Sequence, residues 1–179
     1  SYGVAVCLQE ADRPEEAESV YREILQARPD AERVWRTLYT HLVRQGELDE
    51  ARQALQDGIE AVPSSPNLRW ALAGEYERDG DIDAAIAVYE ELYAENSNSI
   101  VVANNLASLI TTYKDDAENL ERAFTIARRL RGIDQPAFQD TYGWIALRRG
   151  DVDEALLHLE PAAQGLPDDP LVQYHLAAA

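Results

Sequence analysis

The chain of 179 residues contains three histidines and one cysteine, the side chains that most often bind transition metals or act as nucleophiles. His41, His158 and His175 are widely separated, and none belongs to a His-Glu-x-x-His pattern. Cys7 stands in the apolar stretch AVCL, with no cation or histidine beside it to activate a thiolate. We therefore predict packing or surface histidines, a buried structural thiol and no metal site.

Acidic residues recur in pairs that could serve as carboxylate dyads or calcium ligands. Their positions repeat along the chain, which is typical of helix N-caps and of acidic first-turn residues that interact with the helix dipole. They also lack the twelve-residue spacing of a calcium-binding loop. With no glycine-rich phosphate loop present either, we predict a protein that is not an enzyme and uses no cofactor. The pairs are Asp49 with Glu50, Asp81 with Asp83, and Asp151 with Asp153.

Composition narrows the class of partner. The chain has 33 acidic and 16 basic side chains, a formal charge of −17, and 46% hydrophobic residues. This charge argues against a general nucleic-acid or anionic-membrane surface, because phosphate binding needs clustered lysine and arginine. No apolar run approaches the length of a membrane span. We expect a folded protein that neither binds nucleic acid nor inserts into a membrane.

Three short segments repeat along the chain. They are GELDEA at Gly46–Ala51, GDIDAA at Gly80–Ala85 and GDVDEA at Gly150–Ala155. The first two are offset by 34 residues and the last two by 70, which is close to two periods. Pro29 and Pro63 are also 34 residues apart. A period of 34 indicates an array of helix-turn-helix repeats.

The second repeat shows the first helix of such a unit. Trp35, Leu38, Tyr39 and Leu42 fall at i, i+3, i+4 and i+7, which places them on one helical face. Gly46 then supplies a residue that tolerates positive φ, as a helix C-terminus requires.

The second helix of the unit follows directly. Asp49 stands where its N-cap is expected, and Ala51, Leu55 and Gly58 lie on its inner face. The small residues permit close helix approach, and Pro63 ends the unit.

These residues and spacings resemble the tetratricopeptide repeat family over essentially the whole chain. Two departures are Tyr39, where the family usually has a small residue, and Ser97, where a proline is expected. The resemblance implies an all-α, right-handed solenoid of antiparallel helix pairs, forming one domain of five repeats and a final helix. The expected boundaries are residues 1–31, 32–65, 66–99, 100–135 and 136–169, with the last helix at 170–179.

The fourth repeat is irregular, with helices expected near Val101–Thr112 and Leu120–Arg131 and a longer connection between them. Its segments NNLASLI and LERA, together with DTYGW at Asp140–Trp144, resemble a sub-type found in bacterial envelope proteins, including lipoproteins of exopolysaccharide export. The compartment stays open between the envelope or periplasm and the cytoplasm.

The two ends of the chain also bear on its organisation. The first repeat begins inside its first helix, and the last helix is short and apolar instead of polar and solvating. We interpret the chain as a fragment of a longer array. The alternative is that the last helix packs on a second copy and forms a homodimer.

The family resemblance implies that the first helix of each pair lines a concave groove that binds peptides or helices. The groove-facing positions hold five arginines and three acids, a charge of +2 that leaves −19 for the rest of the chain. Trp70 is expected to be exposed because its neighbours fill the core positions of its helix. The predicted partner-binding residues are Arg33, Arg36, Thr40, Arg44, Trp70, Asn104, Asn105, Ser108, Asp140, Trp144 and Tyr174.

Arginine and tryptophan are strong anchors at interfaces, and asparagine amides can hold a peptide backbone. We therefore predict a protein- or peptide-binding scaffold whose partner carries acidic and apolar side chains. A second hypothesis is a structural assembly or homo-oligomerisation module. A third is carbohydrate contact in exopolysaccharide export, with Trp70, Trp144 and Tyr174 as stacking platforms.

Overall fold

The computed structural model describes residues 13–114 and 116–179. Within these ranges the regular structure is helical and contains no strand, as the sequence predicts. By their packing the described residues divide into two compact units, one ending at residue 88 and one beginning at residue 89. No helix among the described residues is both long and apolar enough to cross a membrane. The repeat boundaries stay a prediction, and the expected first helix and Cys7 lie outside the described residues.

The helices follow the predicted pairing closely. The first unit holds α1 (Pro14–Ala27), α2 (Glu32–Gln45), α3 (Leu48–Ala61) and α4 (Pro66–Asp79), and α5 (Ile82–Glu95) contains the boundary between units. The second unit continues with α6 (Ile100–Tyr113), α7 (Ala117–Ala127), a 3-10 turn (Arg128–Leu130), α8 (Pro136–Arg148), α9 (Val152–Gly165) and α10 (Pro170–Ala178).

The buried face of α2 is wider than its predicted stripe. Leu38 and Leu42 are fully buried as expected, whereas Trp35 and Tyr39 are only half-buried. Val34 and His41 occupy the remaining buried positions. The difference arises because α2 packs against α1, α3 and α4, so the helix buries residues on more than one stripe.

The close approach of α2 and α3 depends on a glycine, as predicted. A Cβ atom at Gly58 would lie 2.9 Å from Cγ of Trp35, closer than carbon atoms pack. The Trp35 indole N–H donates a hydrogen bond to the carbonyl of Pro29 at 2.8 Å. Trp35 is thus held between the turn before α2 and the backbone of α3.

The equivalent contact in the second unit joins α8 and α9. A Cβ atom at Gly143 would lie 2.8 Å from Cγ of Leu159 and 3.1 Å from the carbonyl oxygen of Ala155. Leu159 and Ala155 are fully buried beside Ala146. Any side chain at position 143 would therefore push the two helices apart.

At the N-terminus of α3, the second helix of its repeat, one prediction was wrong. The N-cap of α3 is Glu47, so Asp49 lies in the first turn and does not cap the helix. At the equivalent positions, the Asp81 carboxylate accepts the Ala84 amide at 3.2 Å and the Asp151 carboxylate accepts the Glu154 amide at 3.3 Å. The Glu47 side chain makes no such bond because its extra methylene carries the carboxylate past the amide. Gly46 ends α2 at a φ of +81°, which confirms that prediction.

The irregular fourth repeat starts its second helix three residues earlier than expected. Asp116 caps α7 by accepting the Asn119 amide at 2.9 Å, and this hydrogen bond lowers the pKa of the Asp116 carboxyl. The helix also ends earlier than predicted, because the chain tightens into the 3-10 turn at Arg128–Leu130.

Replacing Gly143 by alanine tests the close approach of α8 and α9. We expect Gly143→Ala to lower the free energy of unfolding by about 1–3 kcal/mol, since the added methyl overpacks the contact. Gly74→Ala is the matched control, because a Cβ atom there meets nothing within 4 Å. The control should raise stability by about 0.5–1 kcal/mol through helix propensity alone. Urea unfolding followed by circular dichroism measures both, and equal shifts would contradict the packing constraint.

Replacing Glu47 by aspartate tests the missing cap. Glu47→Asp places a carboxylate within reach of the α3 amides and should stabilise the first unit by about 0.5–1 kcal/mol. The reverse change, Asp151→Glu, should destabilise the second unit by a similar amount. Thermal unfolding of the two variants beside the wild type checks both signs, and a destabilised Glu47→Asp variant would refute the assignment of Glu47 as the N-cap.

Candidate functional site

The predicted partner-binding residues divide between the two compact units. Five lie on α2 and α4 of the first unit, and six lie on α6, α8 and α10 of the second. The first set is Arg33, Arg36, Thr40, Arg44 and Trp70; the second is Asn104, Asn105, Ser108, Asp140, Trp144 and Tyr174.

One exposed stripe runs along α2, and we call it the α2 basic face: Arg33, Arg36, Thr40 and Arg44. All four side chains are exposed. They fall on the side of the helix opposite Leu38 and Leu42 because the buried residues already fill the inner stripe. The Thr40 hydroxyl donates a hydrogen bond to the carbonyl of Arg36, one turn earlier in α2, at 3.0 Å. This bond holds the Thr40 side chain against the helix.

Two arginines of the α2 basic face have no carboxylate partner among the described residues of the first unit. Within residues 13–88, neither Arg36 nor Arg44 forms an ion pair with a carboxylate. Helix α2 carries three arginines and one acid, Glu32, a formal charge of +2. The Glu32 carboxylate accepts a hydrogen bond from Asn67 at 2.8 Å. The first unit therefore presents cationic side chains to solvent in a strongly acidic chain.

Trp70 lies on α4, the helix beside α2, with 45% of its surface exposed. Leu68 and Ala73 are fully buried and occupy the core positions of α4. The expectation that Trp70 is exposed is confirmed, although the core residue Leu68 replaces Leu72, which is half-buried. A large exposed indole beside arginines is a combination that anchors protein partners.

A buried polar network fixes α2 against α4, and sequence reasoning missed it. The Glu75 carboxylate, 1% exposed, accepts a hydrogen bond from the Tyr39 hydroxyl and pairs with the Arg78 guanidinium at 2.8 Å. Burial, and then the bond to the Glu75 carboxylate, raise the pKa of Tyr39, which keeps the hydroxyl a donor. The sequence signal was Tyr39 itself, a polar aromatic where the family usually has a small residue.

The second unit places Asp140 differently from the prediction. Asp140 is only 8% exposed, and both its carboxylate oxygens lie 2.9–3.0 Å from Nδ1 of His175. The carboxylate therefore ties α8 to α10 and orients the imidazole; it does not face outward toward a partner. The physical reason is that a carboxylate this buried needs a charged or hydrogen-bonded neighbour, which His175 supplies.

An aromatic group surrounds this pair. Trp144, half-buried, stacks on the His175 ring with centroids 4.1 Å apart and planes 15° apart. Tyr174 lies 5.9 Å from Trp144 and is 60% exposed. The Arg148 guanidinium lies 5.9 Å from the Trp144 ring and donates to the Thr111 carbonyl at 3.2 Å. One face of Trp144 is thus occupied internally, and Tyr174 offers the larger free surface.

The residues predicted on α6 are half-buried and partly engaged. The Asn105 amide donates to the Tyr89 hydroxyl at 3.0 Å, and the Asn104 amide lies 3.4 Å from the Asn105 carbonyl. The Asn104 carbonyl oxygen is buried without a hydrogen-bond partner. Ser108 stands one turn further on. This face offers few polar atoms to hold a peptide backbone.

His41 and His158 behave as packing residues, in line with the prediction. His41 is 1% exposed and meets the Tyr21 ring edge-on, while His158 meets Tyr142 in the same manner. Among residues 13–114 and 116–179, no group of three or more histidine, cysteine or acidic side chains could hold a metal ion.

Residues 8–74 match the family model for the tetratricopeptide repeat. Over 124 residues the chain is 28% identical to TPR repeat-containing protein PA4667 of Pseudomonas aeruginosa. The match covers 67% of this chain, and the chain spans about a fifth of that relative's length, 20%.

Solved structures share the fold at low identity. The crystal structure of YrrB superposes with a TM-score of 0.70 at 15% identity, covering 95% of this chain and 87% of YrrB. Pseudomonas aeruginosa pilF gives a TM-score of 0.75 at 19% identity, covering 99% and 80%. The crystal structure of MamA gives 0.69 at 15% identity, covering 92% and 95%.

The repeated helix pairs, the glycine-dependent helix contacts and these similarities agree on the fold, that of the tetratricopeptide repeat solenoids. The narrower envelope sub-type stays a prediction. Residues 8–74 thus match the tetratricopeptide repeat model, and the chain has the fold of solved tetratricopeptide repeat proteins.

Proposed function

We propose that the protein is a non-catalytic scaffold that binds a protein segment along the α2 basic face, with Trp70 as an apolar anchor. Partner binding is the general use of this fold, and the peptide partner and its residues are our proposal. The observation that carries it is the exposure of Arg36 and Arg44 without a carboxylate partner in residues 13–88.

The chemistry of the α2 basic face favours an acidic partner. Arginine binds carboxylates in a bidentate manner and stays charged at every physiological pH. The charged side chains of α1, α3 and α4 are mostly acidic, so an acidic segment is repelled elsewhere and steered toward this stripe. An apolar residue of the same segment would pack on the exposed indole of Trp70.

The rigid mounting of the stripe supports binding with little reorganisation. The Tyr39, Glu75 and Arg78 network holds α2 against α4, and Trp35 is locked under Gly58. A preformed surface loses less conformational entropy on binding than a mobile one. The structural neighbour YrrB is described as a TPR protein with an unusual peptide-binding site, which agrees with peptide binding by this fold.

Assembly through the last helix is a second candidate function. Leu171 and Tyr174 on α10 are 56% and 60% exposed, and Leu157 on α9 is 66% exposed. Leu171 and Tyr174 lie about one turn apart on α10, and neighbouring exposed apolar side chains are typical of a surface that packs on another helix. Sedimentation of the wild type beside Leu171→Ser/Tyr174→Ser distinguishes a dimer from a monomer.

A peptide-display selection tests the proposed partner chemistry. Random twelve-residue peptides selected on the wild-type protein should be enriched in Asp and Glu together with one large apolar residue. The affinity of the best peptide, measured by fluorescence anisotropy, should fall about tenfold or more in Arg36→Glu/Arg44→Glu, since two favourable contacts become repulsive.

The matched control reverses two arginines that lie elsewhere. Arg28 and Arg128 are exposed and lie off the α2 basic face, so Arg28→Glu/Arg128→Glu changes the net charge equally. This control should change the affinity by less than twofold. Equal losses in both double variants, or selected peptides without acidic residues, would refute the proposal.

A further inference from the structure

A separate slot opens on the other side of α2, between α1 and α3. Its floor is formed by Leu25, Trp35 and Leu38, and its rim carries the carboxylates of Glu50 and Asp57. We call it the α1–α3 slot. Trp35 and Leu38 point away from the α2 basic face because they lie about half a helical turn from it. The slot and the basic face are thus different surfaces of the same unit.

The size of the α1–α3 slot limits what can enter it. Its volume is about 350 Å³, at the low end of the range for ligand pockets. This is room for one large side chain and not for a helix. The half-buried indole of Trp35 and the aliphatic floor favour an apolar or long aliphatic group.

The helices that flank the slot are strongly acidic. Together α1 and α3 carry eight acidic residues and two arginines, Arg22 and Arg52. Both arginines are already paired, Arg22 with Glu18 at 2.6 Å and Arg52 with Asp79. The Asp57 carboxylate accepts one hydrogen bond from Gln53, a neutral group that leaves its charge in place. Arg22 also lines the slot, but its pairing with Glu18 leaves Glu50 and Asp57 on the rim without a paired cation.

The equivalent slot in the second unit is similar in size, about 330 Å³, but the charges on its rim pair with each other. Its lining residues lie 68 residues, or two repeat periods, after those of the α1–α3 slot. Leu106 corresponds to Leu38, Glu90 to Arg22 and Tyr93 to Leu25. There the Arg122 guanidinium on α7 pairs with Glu90 on α5 across the opening. A slot whose rim carboxylates lack a paired cation is therefore a property of the first unit and not a general consequence of the repeat.

We propose that the α1–α3 slot binds a basic peptide segment, with an apolar side chain on the floor formed by Leu25, Trp35 and Leu38. Lysine or arginine residues on either side of that side chain pair with Glu50 and Asp57. The protein would then hold two partners of opposite charge, one on each side of α2. This inference is independent of the proposed function, because no residue of the α2 basic face takes part.

A nuclear magnetic resonance titration tests the slot directly. The probe is the peptide acetyl-Gly-Ser-Lys-Arg-Leu-Arg-Lys-Ser-Gly-amide, added to ¹⁵N-labelled protein. We expect a saturable shift of the Trp35 indole N–H signal, which reports on the slot floor. The same peptide with glycine in place of leucine should bind at least tenfold more weakly, because it leaves the floor uncovered.

Charge variants provide the matched controls. Glu50→Gln/Asp57→Asn should weaken binding about fivefold, since two exposed ion pairs are lost. Glu15→Gln/Glu23→Gln removes two exposed carboxylates of α1 that do not line the slot, and it should change binding by less than twofold. Arg36→Glu/Arg44→Glu should not weaken the binding of this peptide. That result would distinguish binding at the slot from binding at the α2 basic face.

Three outcomes would overturn the proposal. The Trp35 signal could fail to shift in a saturable manner, which would place the peptide elsewhere. The glycine peptide could bind as well as the leucine peptide, which would leave no role for the floor. The two carboxylate double variants could lose affinity equally, which would reduce the interaction to the overall charge of the protein.

Discussion

The close approach of the two helices in a repeat is the constraint on which the rest of the structure depends. Gly58 brings the backbone of α3 onto Trp35, and Gly143 brings the backbone of α8 onto Leu159. This contact fixes how far each first helix rotates about its axis. In the first unit, Leu38 and Leu42 face inward as a result, and Arg36 is left on the outer side.

Polar contacts between successive first helices add to this packing. Each joins residues 35–37 positions apart, about one repeat: Glu32 with Asn67, Tyr39 with Glu75, Thr111 with Arg148, and Asp140 with His175. The bonds to the buried carboxylates of Glu75 and Asp140 need good geometry, because an unpaired buried carboxylate is costly. They therefore hold neighbouring first helices in one register, and the exposed side chains on these helices keep fixed positions.

The sequence predicts what is periodic and local. The 34-residue period predicts the helix pairs, Gly46 predicts the end of α2, and Gly58 predicts the close contact between α2 and α3. Each of these features depends on residues near in sequence or on the repeat itself. It does not predict that Glu47 holds the cap position without a side-chain hydrogen bond to the helix, since one methylene decides that geometry. Nor does it predict that Asp140 turns inward, since its partner lies a full repeat away; comparing polar residues one repeat apart would have revealed the pairing.

The central claim is that the α2 basic face is the working surface of the first unit. Site-specific photo-crosslinking in cells that make the protein tests it most directly, with a photoreactive residue at Thr40 or at Gln164, an exposed position on α9. If the α2 basic face is the working surface, a partner crosslinks from position 40 and none from position 164. Partners captured from position 164 but not from position 40 would contradict it.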